Sequence, residues 1–477
     1  MTKRKPLLLA AGLLAALAGP ALAQLALAQT TLAQTTLAQP APASSGPAQQ
    51  PSAGEKALIE KGAYLARAGD CVACHTGPGG KPFAGGLPIE SDLGRIVTTN
   101  ITPDKQTGIG NYTEAQFAAA LRQGRRADGT NLYPAMPYPS YRLITDEDMH
   151  ALYTFFMKGV EPVVNRPEET KLSFPFNQRW GMSLWNWAFL PTGTFQPNPQ
   201  VSDEINRGAY LVEGLGHCGT CHTPRAFTMQ ERGFTASDPH FLAGTELNGW
   251  HTPQLRAGGE AARGVATWNV QDIADYLGKG RNRVSAVGGE MKSVVEHSMN
   301  YMNDADLHAI GAYLKSIPNA MPAVQPRPDG QRQTQAKLTA AVDLTPGERL
   351  YLDNCNACHF VTGHGGTTVF PRLDGASIVN AENPTGLITT ILGGAATPST
   401  ERAPSVLPMP GFAFRLSDEE VATLASFVRS AWSNTAPAVT AEQVARVRAN
   451  LPKHPEPVPR TGFSNASGGT NPTSSRP

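Results

Sequence analysis

One pattern, Cys-x-x-Cys-His, constrains this chain more than any other, because it occurs three times. The copies are Cys71-Val72-Ala73-Cys74-His75, Cys218-Gly219-Thr220-Cys221-His222 and Cys355-Asn356-Ala357-Cys358-His359. The pattern is the attachment signature of c-type haem. Two thiols three positions apart reach the two vinyl groups on one porphyrin edge, and the next imidazole falls under the iron as proximal ligand. Cys-x-x-Cys also serves thiol redox sites and zinc sites. Zinc, however, asks for two converging pairs or one pair with two histidines, whereas each His here follows at once and the pairs lie far apart. A disulfide framework belongs to small cysteine-dense domains. This chain has six cysteines in 477 residues, and the motifs use all six. The expectation is three covalently bound haem c groups on Cys71, Cys74, Cys218, Cys221, Cys355 and Cys358, with His75, His222 and His359 on iron.

The motifs lie about 140 residues apart, which agrees with about three domains for this length. A helix carrying Gly62, Tyr64 and Leu65, read over Ala57–Ala68, precedes the first motif. Arg207-Gly208-Ala209-Tyr210-Leu211 repeats it before the second, and Gly347-Glu348-Arg349-Leu350-Tyr351-Leu352 more loosely before the third. Each segment closes with a capped, acidic helix start: Thr145-Asp146-Glu147-Asp148, Asn303-Asp304-Ala305-Asp306 and Ser417-Asp418-Glu419-Glu420. Apolar residues then recur at helical spacing, as in Met149, Leu152, Tyr153 and Phe156. Such a repeat predicts a mainly α chain of three tandem class I-like cytochrome c domains joined by irregular linkers.

The domains fall at residues 54–162, 201–318 and 342–433. Residues 1–23 read as a secretory signal peptide, with Lys3, Arg4 and Lys5 ahead of an apolar stretch and Ala21-Leu22-Ala23 as cleavage site. Residues 24–53 read as a disordered spacer, 319–341 as an exposed linker, and 434–477 as a tail with one short amphipathic helix carrying Val444, Val447 and Leu451. The connector 163–200 holds Trp180, Trp185 and Trp187, which suit either packing between the first two domains or docking on a partner or membrane. The helix Ala441–Leu451 is a weaker anchor candidate. A net charge of +1 gives no reason to expect nucleic acid.

An electron-transfer haem needs a sixth ligand, usually Met or His. Met136 in Tyr-Pro-Ala-Met-Pro-Tyr and Met409 in Leu-Pro-Met-Pro-Gly lie ten and nine residues ahead of the helix starts at Asp146 and Asp418. Prolines restrict both loops. In the middle segment Met291, Met299 and Met302 all compete; Met291, in a loop ahead of a helix at Val294–Ser298, is preferred. His297 and His364 could ligate in principle, while His217 abuts its own Cys and the remaining histidines are scattered. Closed His/Met coordination at every iron indicates a carrier.

With these motifs, and with Thr-Asn-Ile-Thr-Pro-Asp (99–104) and Gly-Ile-Gly-Asn-Tyr-Thr (108–113), residues 55–452 resemble the triheme cytochrome c subunits of bacterial membrane-bound quinone-reducing dehydrogenases of the alcohol, gluconate, sorbitol and aldehyde types. In that family the methionines matching Met136, Met291 and Met409 are the sixth ligands. The resemblance implies a non-catalytic electron-transfer subunit. It would take electrons from a large dehydrogenase subunit carrying pyrroloquinoline quinone or flavin and pass them to ubiquinone, peripherally attached on the periplasmic side of the cytoplasmic membrane. The tail departs from the alcohol-dehydrogenase type, which carries a longer tryptophan-containing segment. A free-standing multihaem carrier and a haem enzyme with an open iron are the alternatives.

Overall fold

Three crossing helix pairs organise the chain in a computed structural model that describes residues 52–258, 264–319 and 327–451. The expected signal peptide, nearly all of the expected spacer and the chain beyond Leu451 lie outside the described residues. The principal helices are α1 (Ala53–Ala68), α2 (Glu114–Gln123), α3 (Asp146–Thr154), α4 (Gly181–Phe189), α5 (Asp203–Ala209), α6 (Val270–Lys279) and α7 (Met291–His297). They continue with α8 (Asp304–Ser316), α9 (Pro328–Ala340), α10 (Pro346–Asn354), α11 (Thr385–Gly393), α12 (Asp418–Ser430) and α13 (Ala441–Ala449). Strands are few: β1 (Pro88–Ser91), β2 (Gly94–Val97) and β3 (Lys171–Leu172) form one antiparallel sheet. β4 (Thr245–Leu247) pairs with β5 (Trp250–Thr252), and β6 (Ala395–Ala396) with β7 (Pro408–Met409).

The closing helices begin at their sequence-encoded caps. Side-chain oxygens of Thr145, Asn303 and Ser417 accept from the N–H of Asp148, Asp306 and Glu420. Helix α1 starts four residues earlier than Ala57, because Ser52 accepts from Glu55 N–H and supplies the cap.

Helix α1 crosses α3, α5 crosses α8, and α10 crosses α12. The crossings are closest at Gly62, Gly208 and Gly347. A Cβ there would lie 2.1 Å from Ala151 O, 2.0 Å from Ala309 O and 2.8 Å from Phe427 Cβ. Only a residue without a side chain lets the backbones meet like this. Between Gly208 and Cys218 the chain has one more residue than between Gly62 and Cys71, and a π-turn at Tyr210–Leu215 absorbs it.

The apolar residues gather into two cores. The first draws on both the first and second helix pairs, including Leu65, Leu152, Phe156, Leu211, Leu215 and Leu314. The second is built around Tyr351, Leu424 and Trp432. Across the first core runs a reciprocal seam. Tyr64 donates to Asp306 Oδ2 at 2.5 Å, and Tyr210 donates to Asp148 Oδ2 at 2.7 Å. Each aspartate also pairs with the residue ahead of its own crossing glycine: Lys61 with Asp148 at 2.8 Å, and Arg207 with Asp306 at 2.7 Å. The same contact is thus made twice in opposite senses, as in a two-fold dimer interface.

Two sequence expectations change. Within the expected exposed linker 319–341, α9 is a docked helix. It buries Leu338 in the second core, and Thr334 Oγ1 accepts from Trp432 N–H at 3.0 Å. Its Gln, Arg, Lys and Ala are ordinary helix formers, and one apolar anchor suffices to seat it. Helix α13 is no membrane anchor: Val444 is fully buried against α11 and α12, and Arg448 pairs with Asp418 at 2.7 Å.

Candidate haem sites

Each motif folds as one tight turn. The N–H groups of His75, His222 and His359 donate to the carbonyls of Cys71, Cys218 and Cys355, all at 3.0 Å. That turn brings both cysteines of a motif to one side with the imidazole beside them. All six cysteines are free thiols. Burial pushes Cys71, Cys218 and Cys355 up to about 12. Among the described residues no three His, Cys, Asp or Glu converge as a metal-binding group.

The imidazoles share one arrangement. Nδ1 of His75 faces Thr99 O at 2.7 Å, Nδ1 of His222 faces Pro253 O at 2.8 Å, and Nδ1 of His359 faces Pro371 O at 2.9 Å. A proton on Nδ1 donated to a carbonyl fixes the tautomer and leaves Nε2 as the free lone pair, which is how ligating histidines are oriented. Burial lowers all three below the usual histidine range, against the raising effect of that carbonyl, so they stand neutral.

A glycine completes each clamp. Gly85, Gly244 and Gly365 donate their N–H groups to the carbonyls of His75, His222 and His359 at 2.7, 2.8 and 3.2 Å. Each has φ between +62° and +83° and presses on the backbone that carries the imidazole's partner. A Cβ at Gly85 would lie 2.4 Å from the carbonyl carbon of Thr99. One at Gly365 would lie 2.7 Å from Pro371 O. The glycine therefore sets the distance between the motif and the segment that orients its histidine.

The methionines occupy braced positions. Met136 and Met291 border the first core, as Cys71 and Cys218 do, while Met409 and Cys355 border the second. In the Met136 turn, Tyr133 donates to Phe176 O at 2.9 Å and Tyr138 to Asn186 Oδ1 at 2.7 Å, so the aromatic connector holds it. Met409 lies in β7, flanked by prolines and paired with Ala395. Met291 is the first residue of α7, which begins earlier than the expected Val294. Gly289 ahead of it has φ +57° and lies against the Trp250 ring. Met299 and Met302 are 4% and 1% exposed, enclosed by protein atoms on all sides. His297 is exposed, and His364 is engaged by Asp374 at 3.2 Å and Gln331 at 2.7 Å.

Free paired thiols, a neutral imidazole with Nδ1 occupied and a braced thioether fit a covalently attached haem. The cytochrome c family profile matches residues 59–159 and 344–432. The alcohol dehydrogenase (quinone) cytochrome c subunit of Gluconacetobacter polyoxogenes is 43% identical over 427 residues, 88% of this chain and 89% of that protein. The chain belongs to the family of dehydrogenase cytochrome c subunits. The gluconate 2-dehydrogenase cytochrome c subunit of Pantoea cypripedii is 43% identical over 401 residues, 82% of this chain and 90% of that one. The fructose dehydrogenase cytochrome subunit of Gluconobacter japonicus is 38% identical over 424 residues, 84% of each. Membership in this family implies covalently bound haem c.

For this cytochrome subunit, the orienting carbonyls and the clamp glycines escaped sequence reasoning. They follow their histidines at different distances, Thr99 by 24 residues, Pro253 by 31 and Pro371 by 12. No fixed spacing marks them. The available signal was a glycine after each motif, hidden among 47.

Proposed function

We propose that this chain relays electrons one at a time, through three covalently held haems, from a large dehydrogenase subunit to ubiquinone. The observation that carries the proposal is the threefold recurrence of one histidine clamp, Nδ1 to a carbonyl and carbonyl from a glycine. Bound haem supplies one-electron exchange at iron. Cys71 and Cys74, Cys218 and Cys221, and Cys355 and Cys358 anchor the three groups. His75 with Met136, His222 with Met291, and His359 with Met409 close the coordination, so the chain's residues leave no position for substrate.

The domains are assigned to residues 54–162, 201–318 and 342–433, with 1–23 removed on export to the periplasmic side. The named relatives work with alcohol, gluconate or fructose dehydrogenases, which supports a partner that oxidises an alcohol or sugar with its own pyrroloquinoline quinone or flavin. No helix among the described residues is long and apolar enough to cross a membrane. Reaching ubiquinone therefore calls for attachment from the surface.

Native purification with spectroscopy tests the relay. The cytochrome should co-elute with a large dehydrogenase, become reduced when that enzyme's substrate is added, and be reoxidised by a ubiquinone analogue. Elution alone would indicate a free carrier. Carbon monoxide binding to the reduced protein would indicate a haem enzyme with an open iron.

A further inference from the structure

We propose that the outward face of α4, with Phe174 and Phe176, docks this cytochrome on an anionic lipid surface. The proposal rests on the surface attachment argued above and names the residues that make it. Trp180, Leu184 and Trp187 stand at i, i+4 and i+7, which places them on one side of the helix. They are 73%, 62% and 83% exposed. Phe174 and Phe176 precede them, also exposed, and Phe227 is wholly exposed on the loop that meets α4 from the second segment. Single exposed apolar residues need no explanation, but a contiguous group of large ones does.

The other side of α4 is fastened. Trp185 Nε1 donates to Thr228 O at 2.9 Å, Ser183 Oγ accepts from Asn131 Nδ2 at 2.8 Å, and Asn186 Oδ1 accepts from Tyr138. Trp185 also packs edge-on against Tyr138. The three connector tryptophans thus divide: Trp185 packs between the first two segments, while Trp180 and Trp187 are held outward by a rigid support.

Charge selects lipid as the occupant. From Leu172 to Gln200 the sole charged residue is Arg179. Its guanidinium lies 4.6 Å over the Tyr133 ring. Arg125 and Arg126 lie on the neighbouring turn bridged to Asn131, where Asp128 is the one carboxylate. Indole rings with arginines at the rim suit the boundary between acyl chains and anionic headgroups. An apolar helix face of this kind enters that boundary by about 5–10 Å. The orientation has a consequence for electron delivery. Tyr133 of the Met136 turn donates to Phe176 O, and Phe227 lies five residues beyond His222. Docking by this face brings the first two haem sites toward the lipid that dissolves quinone.

Flotation of the haem-loaded dehydrogenase complex tests the proposal, using vesicles of phosphatidylcholine alone and of phosphatidylcholine with phosphatidylglycerol. The native complex should float with the anionic vesicles. Trp180→Ser combined with Trp187→Ser should lower the bound fraction at least about tenfold, since two large apolar groups leave the lipid. Leu184→Gln should lower it less, and Trp185→Phe should leave it unchanged. Haem content and reduction of a water-soluble quinone analogue should match the native complex in all of these variants, and so should melting temperature except in Trp185→Phe, which loses the hydrogen bond to Thr228 O. Native flotation of the double variant would overturn the proposal. So would loss of the dehydrogenase subunit with flotation intact, which would give the face to the partner protein. Failure of the native complex to reduce any quinone would instead overturn the relay, whatever the flotation result.

Discussion

Met291 is the side chain on which the proposed ligand set is most exposed to test. It borders the same core as Cys218, whereas its competitors Met299 and Met302 are enclosed in that core. Met291→Ala should open one iron, lower its potential, and remove about one third of the sulfur-to-iron absorption band of the oxidised protein. Met302→Leu should leave the band intact and cost less than about 1.5 kcal/mol, because it conserves core volume. Titration of both variants with the band as readout decides between them. The clamp glycines make a second prediction. Gly365→Ala would put a Cβ 2.2 Å from Phe370 O at φ +62°. The left-handed conformation and the overlap together should cost about 2–4 kcal/mol, read from thermal melting of the holoprotein. The six cysteines, the histidine after each pair and the two proline-flanked methionines could be singled out because a short local motif encodes each. The clamps were not, since each spans a loop of different length.

Helix starts were equally legible, because a cap and its first turn are neighbours in sequence. The pairing of helices across the first core was not. Tyr64 and Asp306 lie 242 residues apart, and Tyr210 and Asp148 lie 62 apart. No periodicity in either helix announces a partner at that range. The seam has a pH signature. Burial disfavours the Asp306 carboxylate, but hydrogen bonds from Arg207 and Tyr64 outweigh it and hold the group below the ordinary carboxylate range. Its stabilisation is therefore complete above about pH 4 and is lost as pH falls through the lower folded value. Asp306→Asn should remove that acid-side dependence. It should also cost about 3 kcal/mol at neutral pH by leaving Arg207 without its anion. Denaturant melts of native and variant protein across pH 2–6 check both points, and an unchanged acid limb would contradict the seam's role. Tyr64→Phe and Tyr210→Phe should each cost about 1 kcal/mol, the worth of one hydrogen bond. The connector 163–200 and α9 read as linkers because apolar residues are sparse in α9 and turned outward in α4. Single anchors, the half-buried Trp185 and the buried Leu338, give them their places.

At the scale of the whole molecule, the first two candidate haem sites border one apolar core and the third borders its own. The third is joined to the second by polar contacts. Arg402 donates to Met302 O at 2.6 Å and pairs with Asp304 at 2.9 Å, while Asn383 donates to Glu246 at 3.1 Å. Such contacts hold three sites in one protein body, as a relay requires, and the family supplies the setting in which a relay has a donor. Every part of this account depends on each motif carrying its own haem by thioether bonds. Pyridine haemochrome quantitation against protein mass measures that directly. The result should be about three c-type haems per chain, all retained by the polypeptide after denaturation and acidified-solvent extraction. Two haems per chain, or haem passing into the solvent, would contradict it.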